Sequence, residues 1–89
     1  MTVTAGQVTL DTTAGGVEVY TNDTGSVRKI VVHVPTGGQS VFLGPSGVAT
    51  TTGLEVEAGT DMTQMQLLPG DALYGIVAAT TQAVSYMVI

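Results

Sequence analysis

Residues 27–47 read VRKIVVHVPTGGQSVFLGPSG, and this stretch decides the fold. In its first eight residues Arg28, Ile30, Val32 and Val34 share one side of an extended chain. Val27, Lys29, Val31 and His33 share the other. β-Branched residues crowd both sides, which suits a pleated strand better than a helix. Pro35 then fixes φ and removes a backbone donor, and Gly37-Gly38 give the freedom a reversal needs. Val41-Phe42-Leu43 is a second extended run, stopped by Gly44-Pro45-Ser46-Gly47. Strand, turn, strand, turn in so short a space predicts an all-β chain.

The same rhythm runs outward in both directions. Residues 16–20 place Val17 and Val19 on one face, and Glu18 and Tyr20 on the other. Residues 54–57 point Leu54 and Val56 inward, and Glu55 and Glu57 outward. In residues 63–68, Met65 and Leu67 oppose Gln64 and Gln66. In the tail, Val84, Tyr86 and Val88 alternate with Ala83, Ser85 and Met87. A slip of one residue would invert each set, so the pattern sets register as well as strand. Residues 27–34 and 73–79 carry apolar side chains on both faces and read as central strands, or strands whose second face meets another chain. Turn signals recur at Ala14-Gly15-Gly16, Asn22-Asp23-Thr24-Gly25, Thr52-Gly53, Ala58-Gly59 and Pro69-Gly70-Asp71. The expectation is a single small β-sandwich or β-barrel of seven to eight short antiparallel strands, with essentially no helix. Residues 1–6 lack this patterning and read as an N-terminal arm that could dock on a neighbour, with residues 7–89 forming the β-domain.

Composition agrees. Of 89 residues, Thr and Val supply 29 and Gly 12, the stock of strands and tight turns. Two basic residues stand against seven acidic ones, a net charge of −5. Two cations cannot neutralise a run of phosphates, so nucleic-acid binding is excluded as an expectation. No apolar run approaches the ~20 residues of a membrane helix, and the first residues have neither the charge nor the apolar core of a signal peptide. The expected site of synthesis is a cytoplasm, with no membrane partner.

The chemical inventory is thin. Without cysteine there is no disulfide framework, zinc knuckle or thiol nucleophile. His33 is the single histidine, set between two valines, and Ser26, Ser40, Ser46 and Ser85 lie in no nucleophile-elbow pattern. Glu55 and Glu57 would stand roughly 6.5–7 Å apart along one strand face, but two acids on a solvated strand more often keep an edge soluble. Asp23, Asp61 and Asp71 sit in turn signals, where their side chains bond nearby amides, and no calcium-loop pattern surrounds them. The glycine clusters lack the lysine and helix of a phosphate loop. The reading is no enzyme, no catalytic residue, no cofactor and no metal.

What the core does not obviously absorb is a set of flexible and aromatic side chains. Phe42 and Met65 are expected to pack inside. Val3, Tyr20, Met62, Tyr74, Tyr86 and Met87 are the candidate oligomer or partner interface, because Tyr and Met are enriched at such surfaces. With only 10% charged residues and a mean hydropathy of +0.40, part of the surface is meant to be covered, as in an obligate oligomer or a lattice component.

Four segments follow one another through the second half: Val41-Phe42-Leu43-Gly44, Val48-Ala49-Thr50-Thr51-Thr52-Gly53-Leu54, Ala58-Gly59, and Leu68-Pro69-Gly70-Asp71-Ala72-Leu73-Tyr74-Gly75-Ile76. This series resembles small virion structural proteins of tailed bacteriophages, several of which are head decoration proteins. It spans about half the chain, residues 41–76, and Gly75 stands where those proteins more usually carry Ala. The resemblance implies a homo-oligomer, in the first instance a homotrimer, that binds the major capsid protein on the outside of the virion and stabilises the capsid. A tail, baseplate or head-fibre component is the alternative it leaves open. A carbohydrate-binding or ligand-binding β-module is the alternative of another class, disfavoured by zero Trp, three Tyr and one Asn.

Overall fold

Alternation and turns resolve into eight strands in a computed structural model that describes residues 3–60 and 64–89. The strands are β1 (Thr4–Leu10), β2 (Val17–Thr21), β3 (Arg28–His33), β4 (Val41–Gly44), β5 (Leu54–Val56), β6 (Met65–Leu67), β7 (Ala72–Ile76) and β8 (Gln82–Val88). No helix occurs among the described residues. The antiparallel pairs are β1·β8, β2·β7, β3·β6 and β4·β5, so the chain is one long hairpin bent at the β4–β5 connection. Rolling that ribbon up lays β8 beside β3 and β7 beside β4. Two four-stranded sheets result, ordered β1-β8-β3-β6 and β2-β7-β4-β5. This is the jelly-roll arrangement of two Greek keys, a sandwich and not a closed barrel.

The core lies between the sheets and is almost wholly aliphatic. Leu10, Ile30, Val32, Val34, Val41 and Val84 are sealed from solvent, joined by Leu43, Val56, Leu67, Leu73, Val77 and Val88. Each such side chain contributes about 1.5–3 kcal/mol by leaving water. In β3 the sides separate cleanly: Ile30 and Val32 are buried, while Lys29 and His33 are exposed and Val31 half-exposed. The chain's apolar-on-both-sides segment is therefore a strand with one inner and one bare face.

Three expectations change. A β-bulge between Glu18 and Tyr20 shifts the register, so Tyr20 pairs with Leu73 and turns inward instead of sharing the face of Glu18. Its ring meets that of Tyr86 at 5.8 Å with a 47° tilt, and both pack on the core. Leu54 and Met65 do lie on the inward side, opposite Leu43 and Ile30. Yet they are 60% and 37% exposed, because β5 and β6 are edge strands and the sandwich is open there. Phe42 is half-buried and faces outward, since its neighbours Val41 and Leu43 take the inner side. The arm boundary also moves. Residues 4–6 belong to β1, where Thr4, Ala5 and Gly6 pair with Val88, Met87 and Tyr86 of the same chain.

Turn chemistry holds the ends together. In Leu68-Pro69-Gly70-Asp71 the Asp71 amide donates to the Leu68 carbonyl at 2.9 Å and Gly70 sits at φ +90°, a type II turn with Pro and Gly in their favoured places. Asn22, at 0% exposure, is the buried polar side chain of the described core. Its Nδ2 donates to the carbonyls of Ser26 (2.7 Å) and Leu67 (2.8 Å), and its Oδ1 accepts from the Thr24 hydroxyl (2.7 Å) and amide (3.2 Å). The β2–β3 turn is thereby clasped to the end of β6.

Candidate interaction surface

The two outer faces of the sandwich differ, and the difference starts with one valine. Residues 45–53, between β4 and β5, fold over the outer side of the second sheet. Val48 is buried there but stands apart from the main core. A Cβ added to Gly44 or Gly53 would come within 2.9 Å of Val48 Cγ2, and one on Gly16 within 2.7 Å of Cγ1. Three glycines thus clear the seat that Val48 fills, next to Tyr74. The rows beneath are Glu18–Tyr74–Gly44 and Ile76–Phe42–Glu55. The chain covers this face with its own loop, a small satellite cluster of the kind found under long loops.

Among the described residues no such cover lies on the first sheet. Its outer side carries the rows Ala5–Met87–Val31 and Gln7–Ser85–His33, followed by Thr9–Ala83. Met87 is 47% exposed, and Ala5, Thr9 and Ala83 are exposed. Val3 and Val27, at 57% and 47%, border the same face, and Leu68 is 54% exposed just beyond β6. The face is mixed: Ala5, Val31, Met87 and Ala83 are apolar, and Gln7, Thr9, Ser85 and His33 are polar, so its exposed apolar cluster is the candidate interaction surface.

Charge follows the same division. No strand of the first sheet contains an Asp or Glu, and both basic residues, Arg28 and Lys29, lie on β3 together with His33. The second sheet has Glu18 and Glu55 and no base. Asp11, Asp23, Glu57 and Asp71 occupy the connections. Arg28 turns inward at the sheet end and donates through Nε to Thr24 Oγ1 at 3.3 Å, leaving Lys29 as the outward cation.

The sequence-predicted interface residues therefore separate. Val3 and Met87 are exposed on the bare face. Tyr20 and Tyr86 are half-buried against the core, and Tyr74 lies on the loop-covered face. Met62 falls outside the described residues. The residues that sequence reading did not single out are Ala5, Val31 and Ala83; only strand pairing brings them beside Met87. His33 stands opposite Ser85 across β3 and β8. Among the described residues no three of His, Asp and Glu come together as metal ligands would. Among the described residues no helix is long and apolar enough to cross a membrane.

One groove of about 280 Å³ opens at the edge of the sandwich, lined by Gly44, Pro45, Met65, Leu67, Asp71 and Leu73 among others. It is just under the ordinary size of a small-molecule site. The Asp71 carboxylate accepts from the Leu68 amide at 3.0 Å and serves the adjacent turn. Among the described residues Asp11 is the ionisable group with a displaced titration. Hydrogen bonds from the Thr13 hydroxyl and then its amide (2.9 Å) hold the Asp11 carboxyl below the usual carboxylate range.

No family model matches this sequence, and no curated protein matches it. Among solved structures, a chain from Bacillus endospore appendages, described as a novel family of disulfide-linked pili, is similar with a TM-score of 0.59 and 17% identity. The similarity covers 98% of this chain and 84% of that one. At this identity the likeness is one of fold.

Proposed function

We propose that this protein is a non-catalytic structural subunit of a tailed-phage virion, a capsid decoration protein that attaches to the outside of the head as an oligomer. The observation that carries the reading is the asymmetry of the sandwich. One outer face is closed by the chain's own loop around Val48, while the other presents Ala5, Val31 and Met87 with no loop over them among the described residues. A soluble domain gains from burying such a face against a partner. The resemblance of residues 41–76 to phage virion proteins supplies the kind of particle. A head-based cement needs a compact fold and apolar attachment more than it needs a reactive site, and net charge of −5 disfavours adsorption to nucleic acid.

A second reading, a filament-forming subunit, is favoured by the likeness to the Bacillus appendage chain. That relative is described as disulfide-linked, and this sequence has no cysteine, so a filament here would depend on non-covalent contacts. Tail or head-fibre placement and a ligand-binding module follow behind, with no observation of their own.

The test is the copy number in purified virions, measured against the major capsid protein by quantitative mass spectrometry. A ratio near one per capsid subunit supports decoration. A few tens of copies would move the protein to the tail or a special vertex, and complete absence from particles would overturn the virion reading.

A further inference from the structure

We infer that the free edge of β1 pairs with β1 of a second copy of this chain, antiparallel across a two-fold axis at Gln7, so that the two first sheets join into one. The inference rests on the oligomeric reading above and narrows it to one contact. It starts from backbone hydrogen bonds. The Lys29 amide donates to the Ile89 carbonyl at 3.2 Å and the Ile89 amide to the Lys29 carbonyl at 2.9 Å, a bonded pair at the end of the β3·β8 ladder. Bonded pairs recur at every second residue, and a central strand turns alternate residues to its two neighbours. Ser85 and Met87 therefore bond to β3, while Gln82, Val84, Tyr86 and Val88 bond to Leu10, Val8, Gly6 and Thr4 of β1. The N–H and C=O groups of Ala5, Gln7 and Thr9 are left pointing away from the sheet, with no strand beyond them among the described residues.

The other three edges carry features that discourage strand addition. β2 has a bulge and Glu18, while β5 and β6 are three residues long and β5 contains Glu55. β1 has seven residues, an unbroken register, no charge and no proline. The strand that matches it is β1 itself. With Gln7 facing Gln7 of the second copy, Ala5 faces Thr9 and Thr9 faces Ala5. Each of these pairs exchanges two bonds, so every outward group named above is satisfied. The faces agree as well, since paired residues lie on one side of a sheet: exposed Ala5, Gln7 and Thr9 stay outside, and Gly6 and Val8 stay inside. No like charges meet across the axis. The contact is isologous and closes at two copies. It sets the Ala5–Met87–Val31 clusters of both copies on one side of a continuous sheet, which makes attachment to a particle bivalent.

Amide hydrogen exchange, followed residue by residue by NMR over a dilution series, tests the pairing. The amides of Gly6, Val8 and Leu10 should be protected at every concentration, and those of Ala5, Gln7 and Thr9 only where the dimer forms. One strand pair is a small interface, so association is expected at about 10–100 μM. Gln7→Pro removes both bonds of the central pair and spares the β1·β8 ladder, because proline is tolerated where an edge N–H faces solvent. It should weaken the dimer about tenfold or more by sedimentation. Gln7→Lys and Gln7→Glu each place like charges opposite one another and should weaken it severalfold, whereas an equimolar mixture forms the opposite-charge pair and should recover it. These two variants also carry the test should the proline variant fail to fold.

Outcomes separate the inference from the reading beneath it. An oligomer whose Ala5, Gln7 and Thr9 amides stay unprotected overturns the pairing and leaves self-assembly standing. A trimer does the same, since a two-fold contact cannot build one. A mixture of the two charged variants no better than either alone overturns the Gln7 register. A chain that stays monomeric up to about 1 mM overturns self-pairing and self-assembly together. If the same three amides of such a monomer become protected on particles, the edge takes a foreign strand and self-pairing fails.

Discussion

Gly6 and Tyr86 stand directly opposite one another in the β1·β8 ladder, and the tyrosine ring lies over the glycine: a Cβ on Gly6 would fall 2.7 Å from Tyr86 Oη and 2.8 Å from Cζ. β1 is an edge strand, and an aromatic residue covering the bare glycine of an edge strand is a recurring way to protect its backbone. The ring is held in turn by Tyr20. Alanine would normally favour a strand over glycine by roughly 0.5–1 kcal/mol. Here the steric term should win, and Gly6→Ala should destabilise by about 1–2 kcal/mol. Combined with Tyr86→Ala the penalty should shrink, giving a clear coupling in a double-mutant cycle. An additive cycle would mean the two residues do not touch.

The same contact bears on residues 1–6. Because residues 4–6 are paired within β1, removing residues 1–6 should lower the melting temperature measurably. A truncated chain that melts with the full chain would return those residues to the role of a free arm.

Asn22 is the most exposing single test of the fold. Replacing it by Ala removes the buried side-chain donor to the Leu67 carbonyl and the 2.7 Å donor to the Ser26 carbonyl, which keeps only the Thr24 hydroxyl at 3.2 Å. The expected loss is about 2–4 kcal/mol, enough to lower Tm by ~10 °C or more in urea-free scanning calorimetry. Asn22→Asp should be no better, since a carboxylate offers no donor to either carbonyl. A Tm within a degree or two of wild type would mean the clasp is not closed in solution.

Val48 and Met87 should behave oppositely despite similar size and hydrophobicity. Val48→Ala empties the seat formed by Gly16, Gly44 and Gly53 and should cost about 1–2 kcal/mol, with faster amide exchange across residues 45–53. Met87→Ser lies on the bare face and should stay within about 0.5 kcal/mol of wild type while weakening attachment or assembly. Equal stability losses at the two positions would remove the distinction between the covered and the bare face.

Asp11 gives a pH prediction of known sign. Its folded pKa lies below the ordinary carboxylate value because Thr13 donates to the charged form. The unfolded chain therefore binds the proton first, so the stabilising contribution is present above the unfolded pKa and is lost as pH falls through the folded one. NMR titration should place Asp11 below the ordinary aspartate value, and Thr13→Ala should move it back towards that value. An unchanged Asp11 midpoint in that variant would exclude the Thr13 hydroxyl as the leading cause.

Much of this architecture is legible in one dimension. The alternations in residues 54–57 and 84–88, the Pro69-Gly70 turn and the glycines after Val34 are local events, decided by steric preferences within a few residues. The bulge at Val19 is not local. Val17, Glu18, Val19 and Tyr20 alternate correctly on paper, and only the fit of β2 against β7 inserts the extra residue that turns Tyr20 inward. The candidate interface was half legible for the same reason: exposure of Met87 follows from its position along the strand, whereas its neighbours Ala5 and Val31 come from strands far away in sequence.

By itself, then, the sequence determined that the chain is all-β, roughly where its strands begin and end, and which side chains alternate, because those properties depend on backbone sterics and side-chain period alone. The tertiary structure decided which sheet each strand joins, that Leu54 and Met65 lie at an open edge, that Val48 roofs one face, and that every base shares one sheet with no acid. Those outcomes arise when a nested hairpin closes on itself and brings residues distant in the chain into contact, a step no local period encodes.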